Sequence, residues 1–111
     1  AGEVQKVGDV NYIAKKLTGI SPKDLRGITD EYKKKYNHCV IVLVAENQGK
    51  VGIVCGVSDD LTDKINAVDV VRKTSEILGG KGGGGRADFA QGGAADATNA
   101  EQAFEEIKKS L

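Results

Sequence analysis

Tryptophan and methionine are absent from this 111-residue chain, and proline and histidine occur once each. Each shortage removes a class of explanation. Without methionine the chain begins with no initiator, and it reads as an excised domain or a processed chain. The lone histidine, His38, has no Cys-x-x-Cys motif to accompany it, so a zinc site has no ligand set to draw on. No paired nucleophile is evident around it either, which leaves nucleophilic catalysis little support. The two cysteines, Cys39 and Cys55, both lie inside apolar runs. With no signal segment, they read as buried, reduced thiols of a cytosolic protein rather than a disulfide. An excess of charge is missing as well: 16 basic side chains balance 16 acidic ones. That excludes nucleic-acid binding by bulk charge, though not by a local basic face. No run approaches the roughly 20 apolar residues of a membrane span.

What the chain does have is aliphatic blocks and glycine. Apolar residues make up 40% of it, enough at this length for one domain with a core. Val10, Tyr12 and Ala14 alternate with Asn11 and Ile13 and predict a strand, with a turn at Gly8-Asp9 before it. Ser21-Pro22-Lys23-Asp24 predicts a helix start with a Ser21–Asp24 capping box. Leu25, Ile28, Tyr32 and Tyr36 supply that helix's apolar face. Its other face carries Lys23, Arg26, Lys33, Lys34 and Lys35 with Asp30 and Glu31, read as a solvated face or, alternatively, part of a phosphate-facing surface. Cys39–Ala45 and Val51–Val57 predict two buried strands in an antiparallel hairpin. Gly52 and Gly56 leave room for close packing on the second strand. Ser58-Asp59-Asp60-Leu61 predicts the next helix start, with a stripe of Leu61, Ile65, Val68, Val71 or Arg72, Ser75 and Leu78. Gly79 falls where a left-handed helix-ending glycine is expected. Thr98 or Asn99 caps a last helix, Gln102 completes a box from Asn99, and Ala103, Phe104, Ile107 and Leu111 form its buried face. The sum is an α/β domain: one mixed sheet with a buried hairpin and three helices packed on it.

Everything turns on Gly79–Gly93. Six of its first seven residues are glycine, each costing roughly 0.5–1 kcal/mol of backbone ordering relative to alanine. Such a run is kept where the backbone must do what side chains would prevent. It is no Gly/Ser linker, because Arg86, Asp88 and Gln91 follow it. Gly80–Gly85 matches G-x-G-x-x-G literally, but the dinucleotide fingerprint follows a strand and opens a helix, whereas this tract follows a helix. A P-loop fails because glycine, not Ser or Thr, follows Lys81. There remains a loop, with a short strand near Ala87–Ala90, whose bare N–H groups form a nest for phosphate oxygens. Lys81 and Arg86 add charge. Asp88 holds loop amides in shape. Gln91 reads a base edge or ties down the loop, and Phe89 belongs to the core or, less readily, stacks on a base.

The string GGKGGGGRADFAQGGA, placed after a capped helix and a buried hairpin and before one final helix, resembles the C-terminal domain of alanyl-tRNA synthetases. That family is related to the C-terminal domain associated with DHH phosphoesterases. The resemblance covers residues 1–111 as one domain. The chain departs from the usual pattern in its four consecutive glycines from Gly82 and in Ala87, where proline is common. The resemblance implies a non-catalytic, cytoplasmic tRNA-binding domain that grips the tRNA elbow and helps couple aminoacylation with editing. It implies that ATP, Mg and Zn belong to other parts of the parent enzyme, with no cofactor here. RNA contact then falls to Gly80, Lys81, Gly82, Gly83, Gly84, Gly85, Arg86 and Gln91, with Lys23, Arg26 and Lys34 as a secondary surface. Gly79, Asp88, Gly92 and Gly93 structure the loop. Partners would be alanine-specific tRNA, other synthetase domains and a possible homodimer, with no membrane. Two rivals stand beside this: the substrate-binding half of a DHH-type phosphoesterase, and a structural self-association domain.

Overall fold

The aliphatic run in the middle of the chain sets the architecture. In the computed structural model, which describes residues 4–111 and leaves residues 1–3 of the predicted domain outside the described residues, it forms β3 (Cys39–Asn47). β4 (Lys50–Val57) pairs with it antiparallel, Val42 opposite Cys55 and Val44 opposite Ile53. Gln48 and Gly49 make the two-residue turn with φ of 54° and 79°, the left-handed conformation such tight hairpins require. Val40, Val42 and Val44 join one hydrophobic core, and Cys39, Ile41, Leu43 and Ala45 join another. A strand buried on both faces needs this unbroken run rather than an alternation. The two cysteines are free and buried, one in each core.

Around this hairpin lie β1 (Val4–Val7), β2 (Val10–Thr18), β5 (Gly82–Gly85) and β6 (Phe89–Ala94), in the sheet order β1-β2-β3-β4-β6-β5. β2 and β3 are parallel, joined through α1 (Pro22–Lys35), and every other neighbouring pair is antiparallel. α2 (Ala67–Ile77) and α3 (Ala100–Lys109) cover one face of the sheet, and α1 covers the other. The mixed sheet with three helices is the fold the sequence predicts.

Several local expectations are corrected. β2 runs on to Thr18, and β1, a strand the sequence pattern does not predict, pairs with it across the expected Gly8-Asp9 turn. Ser21 makes no capping bond to the helix backbone; its hydroxyl donates to the Asp24 carboxylate at 3.2 Å instead. Ser58 does not open α2. Asp59–Leu61 is a single 3-10 turn, and α2 starts eight residues beyond Asp59, where the Asn66 side chain accepts from the Val68 amide at 2.8 Å. Leu61 and Ile65 therefore lie outside α2, whose buried face is Ala67, Val70, Val71, Thr74 and Ser75, with Arg72 exposed. Asn99 precedes α3 but forms no side-chain cap, so the box with Gln102 is not made. Gly79 does end α2 at φ 77°, and at Gly56 a side chain would run into Thr29 of α1. The first of these agrees with the expected helix stop, the second with the expected close packing.

Candidate nucleic-acid interface

The glycine tract is a strand rather than a loop. β5 pairs with β6 in a hairpin whose two-residue tip is Ala87-Asp88: Gly82 lies opposite Gly93, Gly84 opposite Gln91 and Gly85 opposite Ala90. Extended antiparallel backbone sends successive N–H groups to opposite sides, so the predicted concave nest of consecutive amides is not formed. β5 is the last strand of the sheet among the described residues, which leaves one side of its backbone unpaired.

Ser75 of α2 holds this hairpin. Its hydroxyl donates to the Gly93 carbonyl at 2.7 Å and accepts from the Gly82 amide at 2.8 Å, while its own carbonyl takes the Gly80 amide at 2.7 Å. Both strands therefore hang from one buried side chain. Ser75 falls in the stripe predicted for this helix, and a polar residue on that buried face is the available signal for this role.

The tip is fixed from three directions. The Asp88 carbonyl accepts from the Val57 amide at 2.9 Å and from Lys33 Nζ at 2.8 Å, and the Ala87 carbonyl accepts from the Ala67 amide at 2.9 Å. Arg26 lies over the Phe89 ring, 4.8 Å from its centroid, and Phe89 itself is buried in the α1-side core. The core role for Phe89 is the one the fold uses. Asp88 contributes through its backbone carbonyl, and its carboxylate lies 3.5 Å from Arg86 Nε.

The glycines divide into two kinds. At Gly80, Gly83 and Gly92 a β-carbon would overlap neighbouring atoms; at Gly92 it would lie 2.7 Å from the Gly82 carbonyl oxygen and 2.8 Å from Val71 Cγ1. Gly82 and Gly85 hold positive φ angles that side chains avoid. Gly84 and Gly93 are different. Nothing lies within 4 Å of a β-carbon at Gly84, only the Val51 carbonyl oxygen at an ordinary 3.6 Å at Gly93, and both are exposed. Gly84 sits opposite Gln91, Gln91 opposite Val54, and Gly93 two residues on. All therefore share the sheet face on which α1 lies, and the fold asks for glycine at neither spare position.

Charged side chains flank β5. Lys81 and Arg86 are exposed at the two ends of β5, and Gln91 is exposed between the spare glycines. Of the α1 candidates, Arg26 reaches the hairpin through Phe89, whereas Lys23 and Lys34 are exposed on α1 with no hydrogen bond or ion pair among the described residues. Lys33, expected only as one member of the charged face of α1, is the residue of that helix that bonds the tip. Among the described residues no group of three or more His, Cys, Asp or Glu side chains could hold a metal ion. No helix among them is long and apolar enough to cross a membrane.

Residues 9–111 match the DHHA1 domain. The chain belongs to the DHHA1 domain family. This DHHA1 domain is 49% identical over 108 residues to an alanine–tRNA ligase of Jannaschia sp. (strain CCS1), a match covering 97% of this chain and 12% of that protein. It is 48% identical over 110 residues to one of Chelativorans sp. (strain BNC1), covering 98% and 12%. It is also similar to the crystal structure of the C-Ala domain from Aquifex aeolicus alanyl-tRNA synthetase, with a TM-score of 0.91, 32% identity, and 99% and 98% of the two chains covered. A DHH-domain protein described as belonging to a family of ribosomal proteins shares the fold alone, at TM-score 0.56 and 21% identity over 28% of its length. The DHHA1 domain thus spans about an eighth of the ligases it resembles and nearly all of the C-Ala domain.

Proposed function

We propose that this DHHA1 domain binds tRNA as the C-Ala part of an alanyl-tRNA synthetase and carries out no chemistry of its own. The observation that carries the reading is the pair of spare glycines. Gly84 and Gly93 give up side chains that the fold could accommodate, on a face that carries Gln91 and along a strand flanked by the exposed Lys81 and Arg86. A surface without side chains lets ribose and phosphate approach the backbone closely, and the flanking cations neutralise phosphate. The contact is recognition by shape and backbone, suited to the folded elbow of tRNA. On this reading the domain tethers one tRNA while other parts of the enzyme aminoacylate and edit it in the cytoplasm. ATP, Mg and Zn act in those other parts, and alanine-specific tRNA and the remaining synthetase domains are the partners.

The test is tRNA titration of the domain across a salt series. Log affinity should fall linearly with log salt. Replacing Lys81 and Arg86 together with alanine should weaken binding and reduce the slope by about 0.7–0.9 per lost phosphate contact. Unchanged affinity and slope in the double variant would remove the hairpin from the interface. Footprints confined to the acceptor stem would sink the elbow reading. Self-association that is indifferent to added tRNA would favour a structural role.

A further inference from the structure

α1 carries a second feature that the hairpin does not use. Gly27 sits in the middle of this 14-residue helix, exposed, with nothing within 4 Å of a β-carbon built there. Glycine is the least favourable helix residue after proline, and no internal contact accounts for it. It lines an open groove of about 460 Å³ together with Asp24, Ile28, Glu31, Tyr32 and Lys35. The Tyr32 ring is half-buried at its wall; it stacks against Tyr36, centroids 6.4 Å apart at 23°, and carries Lys15 Nζ 5.8 Å from its centroid. Lys35 also lines the groove, with its Nζ 5.5 Å from the Tyr36 centroid. Asp24 already accepts from the Ser21 hydroxyl. Glu31 has no hydrogen-bond or ion-pair partner among the described residues.

We propose that this groove is a binding site for an unstacked guanine nucleotide of RNA. Four of the six lining groups have a part to play. An aromatic ring offers a stacking surface worth a base, and the missing side chain at Gly27 lets a flat ring lie against the helix. A carboxylate accepts and cannot donate, so Glu31 selects a base edge with two adjacent N–H donors. Guanine has these at N1 and N2, whereas the pairing edges of adenine and cytosine each put a ring acceptor where guanine has N1–H. Lys35 meets the phosphate. The site lies apart from the glycine hairpin and rests on the RNA-binding reading only in that its natural ligand belongs to an RNA.

The test is amide NMR of the 111-residue chain titrated with guanosine, adenosine and cytidine 5′-monophosphates. Guanosine monophosphate should shift the Gly27, Ile28 and Glu31 amides, with about tenfold weaker responses to the other two. Glu31→Gln should erase that preference. Gly27→Ala should raise the thermal midpoint, since alanine is the better helix former, and yet weaken nucleotide binding about tenfold. Equal responses to all three nucleotides, no response up to about 10 mM, or a more stable Gly27→Ala chain that binds as before would overturn the proposal. So would perturbation of these amides by an amphipathic peptide but not by the nucleotide. Arg86→Ala should leave the guanosine response intact, so failure at the hairpin and failure at the groove are read separately.

Discussion

Two antiparallel hairpins lie side by side in this sheet and are held by opposite means. In β3–β4 the side chains do the holding: Val42, Val44, Ile41, Leu43, Ile53 and Val57 are all essentially inaccessible to solvent, and each strand is covered on both faces. In β5–β6 there are hardly any side chains to bury. That hairpin is fixed by backbone atoms meeting backbone atoms, by the Ser75 hydroxyl bridging its strands, and by a tip pinned from β4, α1 and α2. The first hairpin is stabilised mainly by removing apolar surface from water. The second depends on close approach, which only glycine permits. A protein can leave a surface bare for a ligand once the neighbouring hairpin supplies the stability the bare one lacks.

The comparison is broken first at the apolar hairpin. Ile41→Ala removes a fully buried side chain from the α1-side core and should lower unfolding free energy by about 2–5 kcal/mol, read from urea titration. The fraction that remains folded should bind tRNA as before. Next in size is Ser75→Ala, which changes almost no volume but leaves the Gly82 amide and the Gly93 carbonyl without their shared partner. The expected loss is about 1–3 kcal/mol. Hydrogen exchange should rise in Gly82–Ala94 while the Val40–Val57 amides stay protected. Equal acceleration of both hairpins would show that they are one cooperative unit and that the contrast between them is false.

These two modes of stabilisation also decide what the sequence reveals. The β3–β4 hairpin is legible because β-branched side chains write its burial into the chain, and Gly79 is legible because a helix stop has a fixed position. Four consecutive glycines carry neither periodicity nor propensity, so β5 reads as a loop although its partners impose strand geometry. The start of α2 is misread for a related reason. Ser58, Asp59 and Asp60 look like a cap, and Leu61 and Ile65 extend the helical spacing of α2 backwards, yet the 3-10 turn stops at Leu61 and the side chain that does cap is that of Asn66. At the interface, Arg86, Lys81 and Gln91 are visible as polar residues beside glycine. The partners of Ser75 and Lys33 are not, since both act on backbone carbonyls brought near only by the tertiary fold. Equally hidden is the difference between Gly92 and Gly93, neighbours in sequence that face opposite sides of the sheet.

Alkaline pH sharpens the contrast from the side of the apolar hairpin. Burial raises the Cys55 thiol well above its ordinary value of 9.0, and raises Tyr12, whose hydroxyl donates to the Phe104 carbonyl at 2.8 Å, above 10.0. A raised folded-state value means that the folded chain keeps its proton where the unfolded chain releases it. The stability from these groups is therefore whole below pH 9 and is lost as pH rises beyond it. Cys55 alone should take about 1.4 kcal/mol per pH unit above 9. Urea midpoints between pH 7 and 10.5 should show the fall, and Cys55→Ala should start lower at pH 7 but decline less steeply. An identical slope in the variant would assign the effect elsewhere.

The smallest expected change in stability, that of Gly93→Ala, tests the glycine hairpin itself. Gly92→Ala and Gly93→Ala differ by one position and by which face receives the methyl group. At Gly92 the methyl group meets Val71 and the Gly82 carbonyl, and overpacking of that kind costs about 1–3 kcal/mol. At Gly93 it meets only ordinary contact distances. The unfolded chain also loses freedom, so stability should hold or rise by up to about 1 kcal/mol. If the spare glycines exist for a ligand, Gly93→Ala should nonetheless weaken tRNA binding, while its salt slope stays that of the parent because no phosphate-neutralising charge has been removed. That combination, a chain no less stable that binds less well without losing ionic contacts, is hard to produce by any route other than a blocked surface. Full tRNA affinity in Gly93→Ala would mean that the bare face is incidental and that Lys81 and Arg86 act without it.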